Sequence, residues 1–103
     1  MVKYTESVDL IFYGLSHPVR REILKLIRAK DFLVTELASH FEISLAAISK
    51  HIKVLERANL IQRKKDGRLH HIHLNQDALL SAEEWLKQYR AFWAGRFDEL
   101  DKY

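Results

Sequence analysis

The sequence contains no cysteine, only three glycines and only one proline among its 103 residues. Without cysteine the chain can form no disulfide, no thiolate metal site and no cysteine nucleophile, and it suits a reducing compartment. So few glycines and prolines leave little material for the many turns of a β-sandwich or barrel, which favours a mainly helical fold. The longest apolar run, residues 10–13, cannot cross a bilayer, and no signal-peptide pattern opens the chain. We therefore expect a cytoplasmic protein with no membrane partner.

The positive charge of the chain is concentrated in its middle. The formal net charge is +3, but residues 50–73 alone contain seven basic residues against two acidic ones. Residues 1–49 are neutral on balance and residues 74–103 are acidic. Four of the six histidines also lie in the basic segment. This distribution indicates binding to a polyanion, although a solvated lysine-rich face would show the same pattern.

Two amphipathic helices are predicted at the start of the chain, because apolar residues recur there at three- and four-residue steps. The first covers residues 7–15. Pro18 begins the second, with Ser16 or His17 as its N-cap, since proline is tolerated in the first turn of a helix. The second helix is expected to bury its apolar stripe, Val19, Ile23, Leu26 and Ile27. Its basic residues are expected to stay in solvent: Arg20, Arg21, Lys25 and Arg28.

Residues 35–58 are predicted to form a helix-turn-helix. A short extended piece at residues 32–34 precedes a brief helix over residues 35–41, and Ser44 can cap a second helix over residues 45–58. The second helix is expected to pack Leu45, Ile48, Ile52 and Leu55 inward. Asn59 follows at a position that favours a left-handed backbone. The outer face of this helix is basic and rich in small residues, as expected of a helix-turn-helix that binds DNA.

After Asn59 the apolar period changes to two, which predicts a β-hairpin wing over residues 60–74. Strands are expected at residues 60–64 and 69–74, with the turn at Asp66-Gly67. Basic side chains crowd the tip of this hairpin. They would repel one another unless an anion lies nearby.

A last helix is predicted over residues 77–103, carrying apolar and aromatic residues at three- and four-residue steps. A winged helix of this size cannot cover so many aromatic side chains, so we expect a symmetric homodimer. An ordinary core helix is the alternative. The predicted dimer interface consists of Phe12, Trp85, Tyr89, Phe92, Trp93, Phe97 and Leu100. The whole chain, residues 1–103, is expected to be a single domain.

Four segments of the chain resemble the ArsR family of winged-helix repressors. They are Leu-Ser-His-Pro-Val-Arg-Arg-Glu-Ile-Leu at residues 15–24, Glu-Leu-Ala at 36–38, residues 44–55 and Ala-Asn-Leu-Ile at 58–61. The resemblance implies a homodimeric, DNA-binding transcription regulator. It also implies that the first and last helices form the dimer interface and that the second helix of the helix-turn-helix enters the major groove.

The sequence departs from the metal-sensing members of that family. Residues 30–37 contain no cysteine, and Asp77 is followed by alanine and leucine in a last helix without histidine. We therefore expect no metal and no cofactor. One alternative is a histidine and glutamate site in which His71 and His73 on one strand face are joined by Glu83, Glu84 or a second subunit. A small apolar effector of unknown identity could instead lodge among the aromatic residues of the last helix.

The predicted function is sequence-specific binding of double-stranded DNA by a homodimeric repressor that occludes a promoter at a pseudo-palindromic operator. Seven candidate residues lie on the second helix of the helix-turn-helix or cap it: Ser44, Leu45, Ala46, Ser49, Lys50, His51 and Lys53. Three more lie in the wing: Arg63, Lys65 and Arg68. Catalysis is not expected, because the glycines are isolated and no catalytic motif is present. A winged helix used for protein–protein interaction is the other alternative, and the salt dependence of binding would separate the two.

Overall fold

The structure, a computed structural model, describes residues 7–101 and the side chains of residues 7–89. Its fold is a mainly helical winged helix-turn-helix, as the sequence predicts. The elements in chain order are α1 (Ser7–Leu15), α2 (Pro18–Ile27), β1 (Phe32–Leu33), α3 (Val34–Ala38), α4 (Leu45–Arg57), β2 (Ile61–Asp66), β3 (Leu69–Leu74) and α5 (Gln76–Asp101). Within the described residues, every helix is too short or too polar to cross a bilayer.

The boundary between α1 and α2 follows from a local cap. His17 has an extended backbone and its Nδ1 accepts a hydrogen bond from the backbone N–H of Val19 at 3.0 Å. Pro18 then occupies the first turn of α2, where a missing N–H costs nothing. The expectation that Arg20 is solvated is wrong, because its side chain is only 6% exposed. Its guanidinium is buried because it finds hydrogen-bond acceptors at the end of α1, where the backbone carbonyls lack partners within the helix.

The helix-turn-helix comprises α3 and α4. Ser44 caps α4 by accepting a hydrogen bond from the backbone N–H of Ala47 at 3.1 Å. Asn59 follows the end of α4 with a positive φ of 58°, in the left-handed conformation that the sequence predicts. The brief helix α3 ends at Ala38, three residues earlier than expected.

Leu45 does not pack inward, contrary to expectation, and is 52% exposed. It shares the apolar period of Ile48 and Ile52, both fully buried. Leu45, however, lies in the first turn of α4, at the edge of an open groove rather than over the core. The helical period alone therefore overstates how far the buried stripe extends.

The wing is a three-stranded antiparallel sheet with the strand order β1-β3-β2. β1 adds a short third strand to the predicted hairpin, with Phe32 opposite Ile72. The register of β2 and β3 places Asp66 opposite Leu69, so the turn consists of Gly67 and Arg68, one residue later than predicted. Gly67 has a φ of 60°, and glycine adopts this conformation without strain at the first central position of a two-residue turn.

One hydrophobic core joins the helices to the sheet. Its fully buried members come from every layer and include Ile11, Ile23, Leu37, Ile48, Ile52, Leu55, Leu60 and Ile72. Val19 and Leu26 are half-buried and pack against this core. At its edge α1 contacts both α4 and α5. The core therefore fixes α4 against the wing on one side and α1 against α5 on the other.

Candidate nucleic-acid interface

Helix α4 presents a continuous polar and basic face to solvent. Ile48, Ile52 and Leu55 are fully buried and anchor the opposite face. Because a helix turns once every 3.6 residues, this anchoring leaves Lys50 and Lys53 exposed on the free face. An exposed helix of this kind fits the major groove of B-DNA, which is ~12 Å wide.

The N-terminal end of α4 combines partial positive charge with small apolar side chains. Ser44 uses its hydroxyl to cap the helix, and the unsatisfied N–H groups of the first turn attract anions. Leu45 and Ala46 project into solvent beside it. Exposed aliphatic groups at this end of a helix can contact the thymine methyl group in the major groove.

An open groove runs between the helix-turn-helix and the wing. It has a volume of about 280 Å³. The structure brings four predicted site residues together along this groove: Leu45 and Ser49 from α4, with Arg63 and Arg68 from the wing. These four residues, up to 23 positions apart in the chain, thus line one surface.

The tip of the wing carries three exposed cations: Lys64, Lys65 and Arg68. Gly67 turns the chain between them, and only Asp66 offsets their charge locally. A cationic hairpin tip beside a basic helix is suited to phosphate contacts.

Arg63 differs from the cations at the tip, because its side chain is only 18% exposed. Its Nη2 lies 2.6 Å from Oε1 of Glu56, and its Nη1 lies 2.9 Å from Nδ1 of His70. Neither Glu56 nor His70 was among the candidate site residues. The sequence signal that could have identified Glu56 is its position as the sole acidic residue on α4, seven residues before Arg63.

His51 is half-buried on α4 and faces α2. Its Nδ1 lies 3.1 Å from Nη1 of Arg20, and its ring centroid is 4.4 Å from that of His17. Burial lowers the pKa of His51, and electrostatic interaction with His17 and Arg20 lowers it further. The sequence analysis gave no functional role to Arg20. The sequence signal that could have pointed to Arg20 was its position two residues after Pro18, directly behind the cap of α2.

The wing histidines do not gather metal ligands. His73 is exposed and its Nδ1 lies 2.8 Å from Oδ1 of Asp31, while His71 is half-buried on the same strand. In the part of the chain that the structure describes, no three histidine, aspartate or glutamate side chains are grouped as a metal site would require. Within one chain, the described residues therefore do not bring the wing histidines together with Glu83 or Glu84 as a metal-binding group.

Aromatic side chains join α1 to α5. The rings of Phe12 and Trp85 meet edge to face with centroids 5.3 Å apart, and Tyr89 lies 4.9 Å from Trp85. Trp85 is still 38% exposed, and Tyr89 is 48% exposed. Three of the seven predicted interface residues are therefore brought together. The side chains of the other four, Phe92, Trp93, Phe97 and Leu100, lie outside the described residues.

The fold and the exposed basic face define a winged helix-turn-helix protein of the DNA-binding class. A family model for a helix-turn-helix domain matches residues 15–63. The chain is 32% identical over 79 residues to the transcriptional repressor SdpR of Bacillus subtilis (strain 168), covering 77% of this chain and 88% of the relative. It is 35% identical over 74 residues to an arsenical resistance operon repressor of Staphylococcus xylosus, covering 72% of this chain and 71% of that one.

Solved structures agree with these sequence relatives. The crystal structure of an ArsR family transcriptional regulator matches with a TM-score of 0.82 and 31% identity, covering 91% of this chain and 97% of the other. An ArsR-like transcriptional regulator from Rhodococcus sp. RHA1 matches with a TM-score of 0.74 and 26% identity, covering 93% and 91%. This chain belongs to the ArsR family of helix-turn-helix transcriptional regulators. Since that family consists of regulators and not enzymes, the expectation of a non-catalytic protein is confirmed.

Proposed function

We propose that this protein is a cytoplasmic, homodimeric repressor that binds a pseudo-palindromic operator in duplex DNA and occludes a promoter. The observation that carries the proposal is the single surface formed by the exposed face of α4 and the cationic wing tip. Its apolar and small polar groups suit contacts to base edges, and its cations suit contacts to phosphates. The repressors to which the chain is similar support the same direction of regulation.

Within this surface we divide the contacts by chemistry. Base readout is assigned to the first turns of α4 and its cap: Ser44, Leu45, Ala46 and Ser49. Phosphate contacts are assigned to exposed cations, Lys50, Lys53, Lys65 and Arg68, with His51 beside them. Arg63 lies at the base of the wing, where its bonds to Glu56 and His70 make it a brace for the wing as well as a cation near the DNA.

The two-fold symmetry of the operator would follow from pairing of α1 and α5 with the same helices of a second copy. Exposed aromatic surface at Trp85 and Tyr89 supports this pairing, because a monomer in water gains nothing by exposing it. An isologous dimer presents two copies of α4 related by a two-fold axis. Such a dimer matches inverted half-sites about one helical turn of DNA apart, or a multiple of one turn.

Selection of duplexes from a random pool tests the proposal. We expect enrichment of an inverted repeat with half-site centres ~10 base pairs apart, or a multiple of that spacing. The logarithm of affinity should fall linearly with the logarithm of salt concentration, because basic side chains displace counterions from the phosphates. Lys50→Glu should weaken binding strongly, whereas Lys25→Glu, an equal charge change on exposed α2, should weaken it much less. Failure to enrich any duplex, or binding insensitive to salt, would favour the protein-interaction alternative.

Transcription in a purified system tests the direction of regulation. With a selected operator overlapping the promoter, added protein should lower transcript output in proportion to operator occupancy. Polymerase is blocked sterically in this scheme, so no contact with it is required. Increased output in the absence of any competing protein would contradict repression by occlusion.

A further inference from the structure

Arg20 is held in one position by acceptors from two helices. Its Nε donates to the carbonyl oxygen of Gly14 at 2.9 Å, and its Nη2 donates to that of Tyr13 at 3.0 Å. The same Nη2 lies 3.3 Å from Oγ of Ser16, and the guanidinium carbon sits 5.1 Å from the centroid of the Tyr13 ring. The remaining nitrogen, Nη1, points to His51 on α4. The end of α1 therefore fixes where this guanidinium meets α4.

The contact between Arg20 and His51 determines which imidazole nitrogen carries the proton. A guanidinium has donors only, so Nδ1 of His51 must be the acceptor of the 3.1 Å hydrogen bond. The neutral imidazole that accepts at Nδ1 carries its proton on Nε2. A proton on Nδ1 of His51 would point its N–H at the N–H of Arg20 Nη1. If the ring were also protonated on Nε2, an imidazolium would lie against the guanidinium. The ionisable neighbours across the helix interface are Arg20 itself and His17 at the N-cap of α2, both of which disfavour a second positive charge.

The Nε2 atom of His51 keeps access to solvent. His51 makes no other side-chain hydrogen bond among the described residues, and none of their buried side-chain nitrogens or oxygens lacks a partner. Nε2 is therefore accessible to water. Its neighbours along the chain, Lys50 and Lys53, are exposed cations on the same helix. His51 is half-buried against Arg20 on α2, so its ring lies on the flank of α4, where we expect phosphate oxygens to be the nearest DNA acceptors.

We infer that Arg20 is a positioning residue for DNA binding, which orients His51 so that its Nε2–H donates to a backbone phosphate of the operator. This inference rests on the proposed function. It adds a neutral, directional donor to the charged contacts of Lys50 and Lys53. It also makes the end of α1 part of the DNA-binding apparatus, because the carbonyl groups of Tyr13 and Gly14 hold the guanidinium that holds the ring.

A first experiment reads the tautomer without DNA. In full-length protein with ¹⁵N-labelled histidine, long-range ¹H–¹⁵N spectra at pH 7 should show His51 protonated at Nε2 and unprotonated at Nδ1. Arg20→Lys, which keeps the charge but loses the fork of donors, should reduce this preference. A His51 ring protonated at Nδ1, singly or doubly, at pH 7 in the wild-type protein would overturn the inference.

A second experiment compares two His51 variants on a selected operator. His51→Phe keeps a ring but removes the donor, and we expect affinity to fall about 3- to 10-fold, the range for one hydrogen bond. His51→Gln keeps a donor near Nε2 and should recover most of that loss. Circular dichroism checks that both variants fold. In the His51→Phe background, Arg20→Lys should cause little further loss, because its effect on DNA acts through the ring.

The outcomes separate the inference from the proposed function. If the wild-type protein binds no duplex, the proposed function fails. If the wild-type protein binds and His51→Phe binds equally well, the positioning role fails while the proposed function stands. A methylphosphonate placed at the contacted phosphate should remove the difference between wild type and His51→Phe, and an undiminished difference at every phosphate would refute a backbone contact.

Discussion

Nη2 of Arg63 lies 2.6 Å from Oε1 of Glu56, and this ion pair joins strand β2 of the wing to helix α4. Both side chains are partly shielded from solvent, and the other arm of the guanidinium reaches His70 on β3. The pair therefore holds both strands of the hairpin at a set angle to the helix. Lys65 at the wing tip is exposed and forms no ion pair with another residue that the structure describes.

The ion pair predicts that two cations of the wing differ in their effect on DNA binding. Lys65→Ala should weaken binding to all duplexes similarly and reduce the slope of log affinity against log salt by roughly 1 per protomer. Arg63→Ala should change the slope less, because Glu56 already balances its charge. Fluorescence anisotropy at several salt concentrations measures both slopes, with Lys25→Ala as a control on α2. A loss from Lys65→Ala confined to one operator would contradict a phosphate contact, and equal slopes for the two variants would show that the Arg63 pair opens on DNA.

Exposure of Leu45 predicts readout of thymine methyl groups. Replacing thymine by deoxyuracil at the contacted position of a selected operator removes one methyl group and should weaken wild-type binding about 4-fold, as expected for ~0.8 kcal/mol of apolar burial. Leu45→Ala should bind the two operators with more similar affinity. Leu80→Ala, which truncates an equally exposed leucine on α5, should discriminate as the wild type does. Undiminished discrimination by Leu45→Ala would remove Leu45 from base readout.

The left-handed backbone at Asn59 predicts opposite tolerances for two substitutions. Asn59→Ala should lower the free energy of unfolding by about 1 kcal/mol, because a Cβ without a compensating polar group is strained at a φ of 58°. Asn59→Gly should stay within about 0.5 kcal/mol of the wild type. Both variants keep the backbone carbonyl that accepts from Nδ2 of Asn75. Urea denaturation followed by circular dichroism makes the comparison, and equal stabilities for alanine and glycine would exclude the conformational explanation.

Partly exposed aromatic residues on α5 predict how the dimer can be broken. Tyr89→Glu places a charge on the proposed interface and should shift the protein from dimer to monomer in sedimentation velocity. Gln88→Glu introduces the same charge at the neighbouring exposed position and serves as the matched control. The sequence makes the same prediction for charged residues at Trp93 and Phe97, whose side chains lie outside the described residues. An unchanged dimer in the Tyr89→Glu variant would remove Tyr89 from the interface.

The sequence contains no cysteine, and no histidine metal site is grouped within residues 7–89, so we predict that DNA binding does not respond to metal. Operator affinity should be the same with a chelator as with micromolar zinc, nickel or cobalt. Should metal release the DNA, His71→Ala and His73→Ala would then be compared, since the metal-site alternative requires both histidines. Release that these substitutions abolish would restore that alternative.

Much of the fold could be predicted from the sequence because its signals are local. The cap formed by Ser44, the left-handed Asn59 and the proline at the start of α2 each depend on backbone groups within a few residues. The period of the apolar residues likewise identifies the buried face of α4, because a helix places every third or fourth residue on one side. The candidate residues of the wing tip were found by their charge alone.

The tertiary structure decided which side chains meet across elements, and local patterns carry no information about this. Arg20 looks like a solvated helix residue until the end of α1 supplies its acceptors. Leu45 continues a buried stripe by period, yet it is 52% exposed in the first turn of α4. The pairing of Arg63 with Glu56 depends on the angle between the wing and α4, and the proton position on His51 depends on a guanidinium 31 residues away. Burial and hydrogen bonding are properties of the assembled core. The environments of Arg20, Leu45, Arg63 and His51 could therefore be established only from the packed structure.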